Sequence, residues 1–136
     1  MIRTFAVLSA ILAASPALAD CAGLLKRDAA AAASLFAPET AICQTAQQTT
    51  GEALFCYSEH PFHSETALIR AEQLETELSA CFAAVPTIAD VTVNHPDSYD
   101  VRHFNVQGAR ISLSVKDKGA LGKTLIFLRI VEAEGN

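Results

Sequence analysis

The sequence predicts a small α+β domain, an antiparallel sheet packed on one main helix and linked by disulfides, in the order α–β–β–α–β–β–β. Three observations predict it. Residues 64–84 repeat apolar side chains at helical spacing. Residues 110–116 alternate strictly between polar and apolar, the period of a strand with one wet face. Four cysteines stand at 21, 43, 56 and 81, an even number spread widely along the chain.

Before the domain lies an export leader. Arg3 supplies a positive start, Phe5–Ala14 is an uninterrupted run of Ala, Val, Leu, Ile, Phe and Ser, and Pro16 breaks it. Ala17 and Ala19 occupy the two small-residue positions of a cleavage site, so residues 1–19 are expected to leave as a signal peptide, cut between Ala19 and Asp20. The apolar run is too short to span a bilayer, which takes about 20 residues. Asp20 rather than a small residue precedes Cys21, which argues against lipid attachment there. Export to the periplasm follows, with residues 20–136 as a single domain and no membrane anchor after cleavage.

Asp20 caps a first helix that is expected to run through Leu24, Leu25 and the alanines 29–33 until Pro38 stops it. Two short antiparallel strands follow at about 40–47 and 52–59, joined around Thr49-Thr50-Gly51. A symmetric loop there sets Cys43 opposite Cys56. The main helix spans Ser64 to Ala84, with Ser64 as N-cap and Glu65 where the helix dipole favours negative charge. Ala67, Ala71, Leu74, Leu78, Cys81 and Phe82 form its inner stripe, and Arg70, Glu72, Gln73 and Glu75 its outer side. Three strands close the domain: Val101–Val106, Arg110–Lys116 and Lys123–Glu132. In the last, Ile126, Leu128 and Ile130 face the helix while Leu125, Phe127 and Val131 point away. Apolar residues on both faces call for a second cover, from the first helix or from a partner.

An oxidising compartment makes two disulfides the default for Cys21, Cys43, Cys56 and Cys81. Because Cys81 lies on the buried helix stripe, Cys56–Cys81 is the preferred bridge, leaving Cys21–Cys43. The nested pairing Cys21–Cys81 with Cys43–Cys56 is its main rival. Spacings of 22, 13 and 25 residues contain no zinc knuckle and no C-x-x-C redox motif.

The full chain has 10 basic and 15 acidic residues, and loss of Arg3 with the leader takes the formal charge from −5 to −6. That balance argues against nucleic acid and against docking on anionic lipid. Gly122-Lys123-Thr124 imitates the end of a phosphate-binding loop, but Asp117 stands where the motif needs its first glycine. A hairpin loop is the better reading, with Lys116, Lys118 and Lys123 as a local basic tip. His60 and His63 are three residues apart and suggest an alternative, a periplasmic zinc- or copper-binding protein, with His95 or His103 as a third donor. Pro61 denies the pair helical i,i+3 geometry, and loop histidines bonded locally are favoured over a metal site. Asn94–Asp100 gathers His, Ser and Asp in one turn, yet triad members must converge from different elements. No catalytic motif and no cofactor fingerprint is spelled out.

The segment NHPDSYDVRHFNVQGARISLSVKDKGALGKTLIFLRI resembles the C-terminal part of small uncharacterised exported proteins of alphaproteobacteria. The resemblance implies no activity and no site residue. The expectation is therefore a non-enzymatic exported module that binds a protein or small ligand through its last strand or through the loops at 94–100 and 116–123.

Overall fold

A computed structural model describes residues 20–49, 51–88, 99–106 and 108–132. The leader at 1–19 and most of the 94–100 loop, including His95, lie outside the described residues. Within them, helices α1 (Cys21–Leu25), α2 (Ala29–Phe36) and α3 (Glu65–Phe82) accompany strands β1 (Ala41–Gln48), β2 (Gly51–Pro61), β3 (Thr87–Ile88), β4 (Tyr99–Val106), β5 (Ala109–Lys118) and β6 (Lys123–Glu132). The strands form one sheet in the order β1-β2-β6-β5-β4-β3, every pairing antiparallel. This is the disulfide-linked α+β architecture expected from the sequence.

Two local expectations need correction. The predicted first helix is two helices, because Arg27 takes a left-handed conformation (φ 57°) and Asp28 starts a new helix. Asp20 accepts from the Gly23 N–H at 2.8 Å and Asp28 from the Ala30 N–H at 3.0 Å, so each helix has its own cap. Alanine propensity alone cannot show that break. Ser64 does stand at the N-cap of α3, but its hydroxyl bonds to Thr66 Oγ1 instead of the helix backbone. At the other end of α3, Ala83 turns left-handed (φ 47°) and stops the helix.

All three helices pack on one face of the sheet. There Leu24, Leu35 and Phe36 meet Leu74 and Leu78 of α3 over Leu54, Ile111, Ile126, Leu128 and Ile130, and all of these are buried. The first helix pair therefore does not cover the second face of β6. Among the described residues no helix does.

The disulfides follow the nested pattern, Cys21–Cys81 and Cys43–Cys56, which overturns the preferred Cys21–Cys43 and Cys56–Cys81 pairing. The cause is register. The two-residue loop between Gln48 and Gly51 places Cys43 directly across from Cys56, with Cα atoms 4.1 Å apart, the close spacing of a non-hydrogen-bonded cross-strand pair. Cys56 is thus claimed within the hairpin. Cys81, in the last turn of α3, instead meets Cys21 at the start of α1, Cα atoms 5.4 Å apart.

Candidate functional site

The face of the sheet opposite the described helices carries a hollow of about 520 Å³. Its walls follow from strand register. On every strand successive side chains alternate between faces, so the residues opposite the helix-facing set all project outward. The pairings Gln44–Phe55, Phe55–Arg129, Arg129–Ser112 and Ser112–His103 place five side chains in one transverse row across β1, β2, β6, β5 and β4. The adjacent row is Ile42, Tyr57, Phe127, Ser114 and Val101. A polar, hydrogen-bonding row therefore runs beside an apolar one rich in rings.

Within these rows, Tyr57 and Phe127 lie with ring centroids 6.0 Å apart and tilted by 44°. The Arg129 guanidinium sits over the Phe55 ring, 5.5 Å from its centroid, a cation–π arrangement. His103 Nδ1 and Ser112 Oγ share a 2.8 Å hydrogen bond. Burial, and then the nearby Arg110 guanidinium, push the His103 imidazole below its usual 6.5. Lys116 also lines the hollow. The described lining includes no carboxylate, although the protein as a whole is acidic.

The histidines singled out from the sequence find different partners. His60 Nε2 bonds to Ser58 Oγ at 3.0 Å. His63, left-handed at φ 55°, places Nδ1 3.5 Å from Asp117 Oδ2, and its backbone N–H donates to Thr124 Oγ1. Thr124 in turn donates to Asp117, whose carboxylate is buried between the ends of β5 and β6. The His60/His63 pair therefore works as two local contacts, and among the described residues no group of three His, Cys, Asp or Glu side chains could hold a metal ion. A small cavity of about 220 Å³ borders His63, Ser64, Asp117 and Thr124, and the Ser64 hydroxyl hydrogen-bonds to Thr66 Oγ1.

The GKT stretch behaves as the hairpin reading expects. A 3₁₀ turn at Gly119–Leu121 joins β5 to β6, Gly122 takes φ 62°, and Lys123 donates to Glu59 at 2.7 Å. A groove of about 590 Å³ beside α3 is slightly larger than the open-face hollow. It is walled by Glu72, Glu75 and aliphatic side chains, and its one guanidinium, Arg102, is 3.6 Å from Glu75. It has neither rings nor an unspent cluster of donors. The open-face hollow is the better site.

Sequence reasoning placed Phe127 on the uncovered face but missed Phe55, Tyr57, His103, Ser112 and Arg129 as its neighbours. Alternation along each strand gives the facing. Only the pairing of β2 with β6 brings the rows together. None of the described helices is long and apolar enough to cross a membrane. No protein-family model, curated protein or solved structure matches the chain, so its role is argued from this geometry.

Proposed function

We propose that the chain is an exported, non-enzymatic binding module that seats a small ligand in the hollow on its uncovered sheet face. In this reading residues 1–19 are the cleavable signal, the cut falls between Ala19 and Asp20, and the mature domain works in the periplasm. The observation that carries the binding role is the ring-lined hollow itself. Its volume of about 520 Å³ lies in the range of small-molecule sites, and its mixture of rings with a few directed polar groups is the usual lining of one. Two disulfides in so small a domain support an oxidising destination.

Nile red, a neutral apolar dye, tests the seat. The oxidised domain 20–136 is expected to bind it saturably at one site, and Phe127→Asp to abolish binding while circular dichroism stays unchanged. Unsaturable binding, or binding untouched by that substitution, would remove the support for the hollow. Export is tested separately. Expressed with its own leader in a Gram-negative host, the protein should appear in osmotic-shock fluid with Asp20 at its N-terminus; uncleaved cytoplasmic protein would refute the leader.

A further inference from the structure

We infer that the ligand is a small aromatic organic anion, its charged group held over the Arg129–Ser112–His103 row and its flat body on Tyr57 and Phe127. This rests on the reading of the open face as a ligand seat and adds the ligand's chemistry to it. The first argument is charge. A protein of formal charge −5 places arginines 110 and 129 on the open face of β5 and β6 and no carboxylate among the described residues lining the hollow. Glu59, the acid in the neighbouring register position on β2, is occupied by Lys123 at 2.7 Å. Among the described residues lining the hollow, no carboxylate competes with an entering anion.

Donor geometry is the second argument. Arg129 is exposed and rests over Phe55, and among the described residues none of the ion pairs engages it. A guanidinium stacked on a ring has its fork of N–H groups fixed in direction, which suits an oxyanion better than a single point acceptor. Ser112 one strand away and His103 two strands away share a hydrogen bond, so with the imidazole neutral the pair keeps one donor for a second oxygen, the Ser112 hydroxyl or the His103 Nε2–H according to tautomer. Neighbouring strands are about 4.8 Å apart, so these donors lie within reach of one carboxylate or sulfonate.

Shape is the third argument. The apolar row begins two residues along each strand, about 6.7 Å from the donor row. A flat body attached to an anionic group held at the donor row extends toward the apolar row, where Tyr57 and Phe127 stand as a tilted pair. A cation placed the same way would meet Arg129 directly. A neutral ligand would gain the rings but leave the donors to water.

Three probes with one flat body and different charge decide the matter: 2-naphthoate, 2-naphthylmethanol and 2-naphthylmethylammonium, titrated calorimetrically into the oxidised domain. Naphthoate should bind about tenfold or more tightly than the alcohol, and the ammonium weakest. Arg129→Gln should cancel the preference for naphthoate and leave alcohol binding in place; Lys26→Gln, the same charge change at the end of α1, should change neither. Raising the salt concentration should weaken naphthoate alone. Equal affinities for the three probes, or a preference that survives Arg129→Gln, overturn the anion assignment while Nile red binding keeps the seat intact. If no naphthyl probe binds but Nile red does, the assignment also fails. If nothing binds, the assignment and the seat fail together.

Discussion

Arg70 is a residue whose role inverts between sequence and structure. Helical spacing puts it on the outer side of α3, among Glu72, Gln73 and Glu75. Its side chain is nevertheless only 11% exposed, because it reaches across to the end of α2. Nη2 donates to the carbonyls of Leu35, Phe36 and Ala37 at 3.0–3.1 Å, and Nε pairs with Glu39 at 2.7 Å. A cation thus satisfies the last carbonyls of α2, which helix geometry leaves without partners. Arg70→Ala should lower unfolding stability by about 2–3 kcal/mol in urea titration, since it strands several acceptors at once. A loss within the scatter of surface substitutions would show that water replaces the guanidinium. His103 carries a second residue-scale prediction. Its imidazole is held below 6.5 by burial and then by Arg110, so on acidification the unfolded chain takes up this proton first. His103 therefore costs no stability above that pH and destabilises the fold as pH falls below it. Melting temperatures at pH 7.5 and pH 5.5 should diverge more for the parent than for His103→Asn; equal pH dependence in the two would count against the shift.

The elements that are legible in sequence are those whose partners are local. The β1–β2 hairpin is one: Gln48 pairs with Gly51, and Cys43 opposite Cys56 follows by counting outward. Helix α3 is another, since Ala67, Ala71, Leu74 and Leu78 recur on one side and all are buried. The bounds of β6 match the reading residue for residue. What escaped was decided elsewhere. Thr87–Ile88 is a strand only because His103 and Arg102 of β4 pair with it. The break between α1 and α2 depends on a left-handed Arg27 that no propensity favours. The bridge choice failed because α3 buries its stripe on the sheet while its last turn reaches α1. The two bridges should differ in weight, as they close 60 and 13 residues. Chain entropy assigns them about 4 and about 3 kcal/mol, so replacing Cys21 and Cys81 by alanine should lower the melting temperature more than replacing Cys43 and Cys56. The reverse order would mean that the buried Cys56 contributes chiefly by packing.

At the scale of the molecule, the sheet separates two environments. One face is dry, sealed by three helices; the other presents rings and arginines on an otherwise acidic body. This division is what makes a site, and it was only half visible in the sequence. Phe127 on the outward side of β6 was legible from alternation. Its neighbours were not, because β2 and β6 are joined across a long stretch of chain that no local pattern specifies. Strand order also sets where substitutions matter: β6 is flanked by β2 and β5, so a proline introduced at Leu128 should prevent folding altogether, whereas one at Thr45 on the edge strand β1, whose N–H points away from β2, should be tolerated better, as read by the yield of oxidised protein. The nested bridges reach beyond the folded state. Because the first cysteine pairs with the last, an oxidase that joins thiols in order of emergence from a translocation pore would link Cys21 to Cys43 and strand the remaining two. For the exported domain proposed above, biogenesis would then depend on thiol–disulfide exchange to release the early bond, and a host lacking its disulfide isomerase should accumulate the misconnected form.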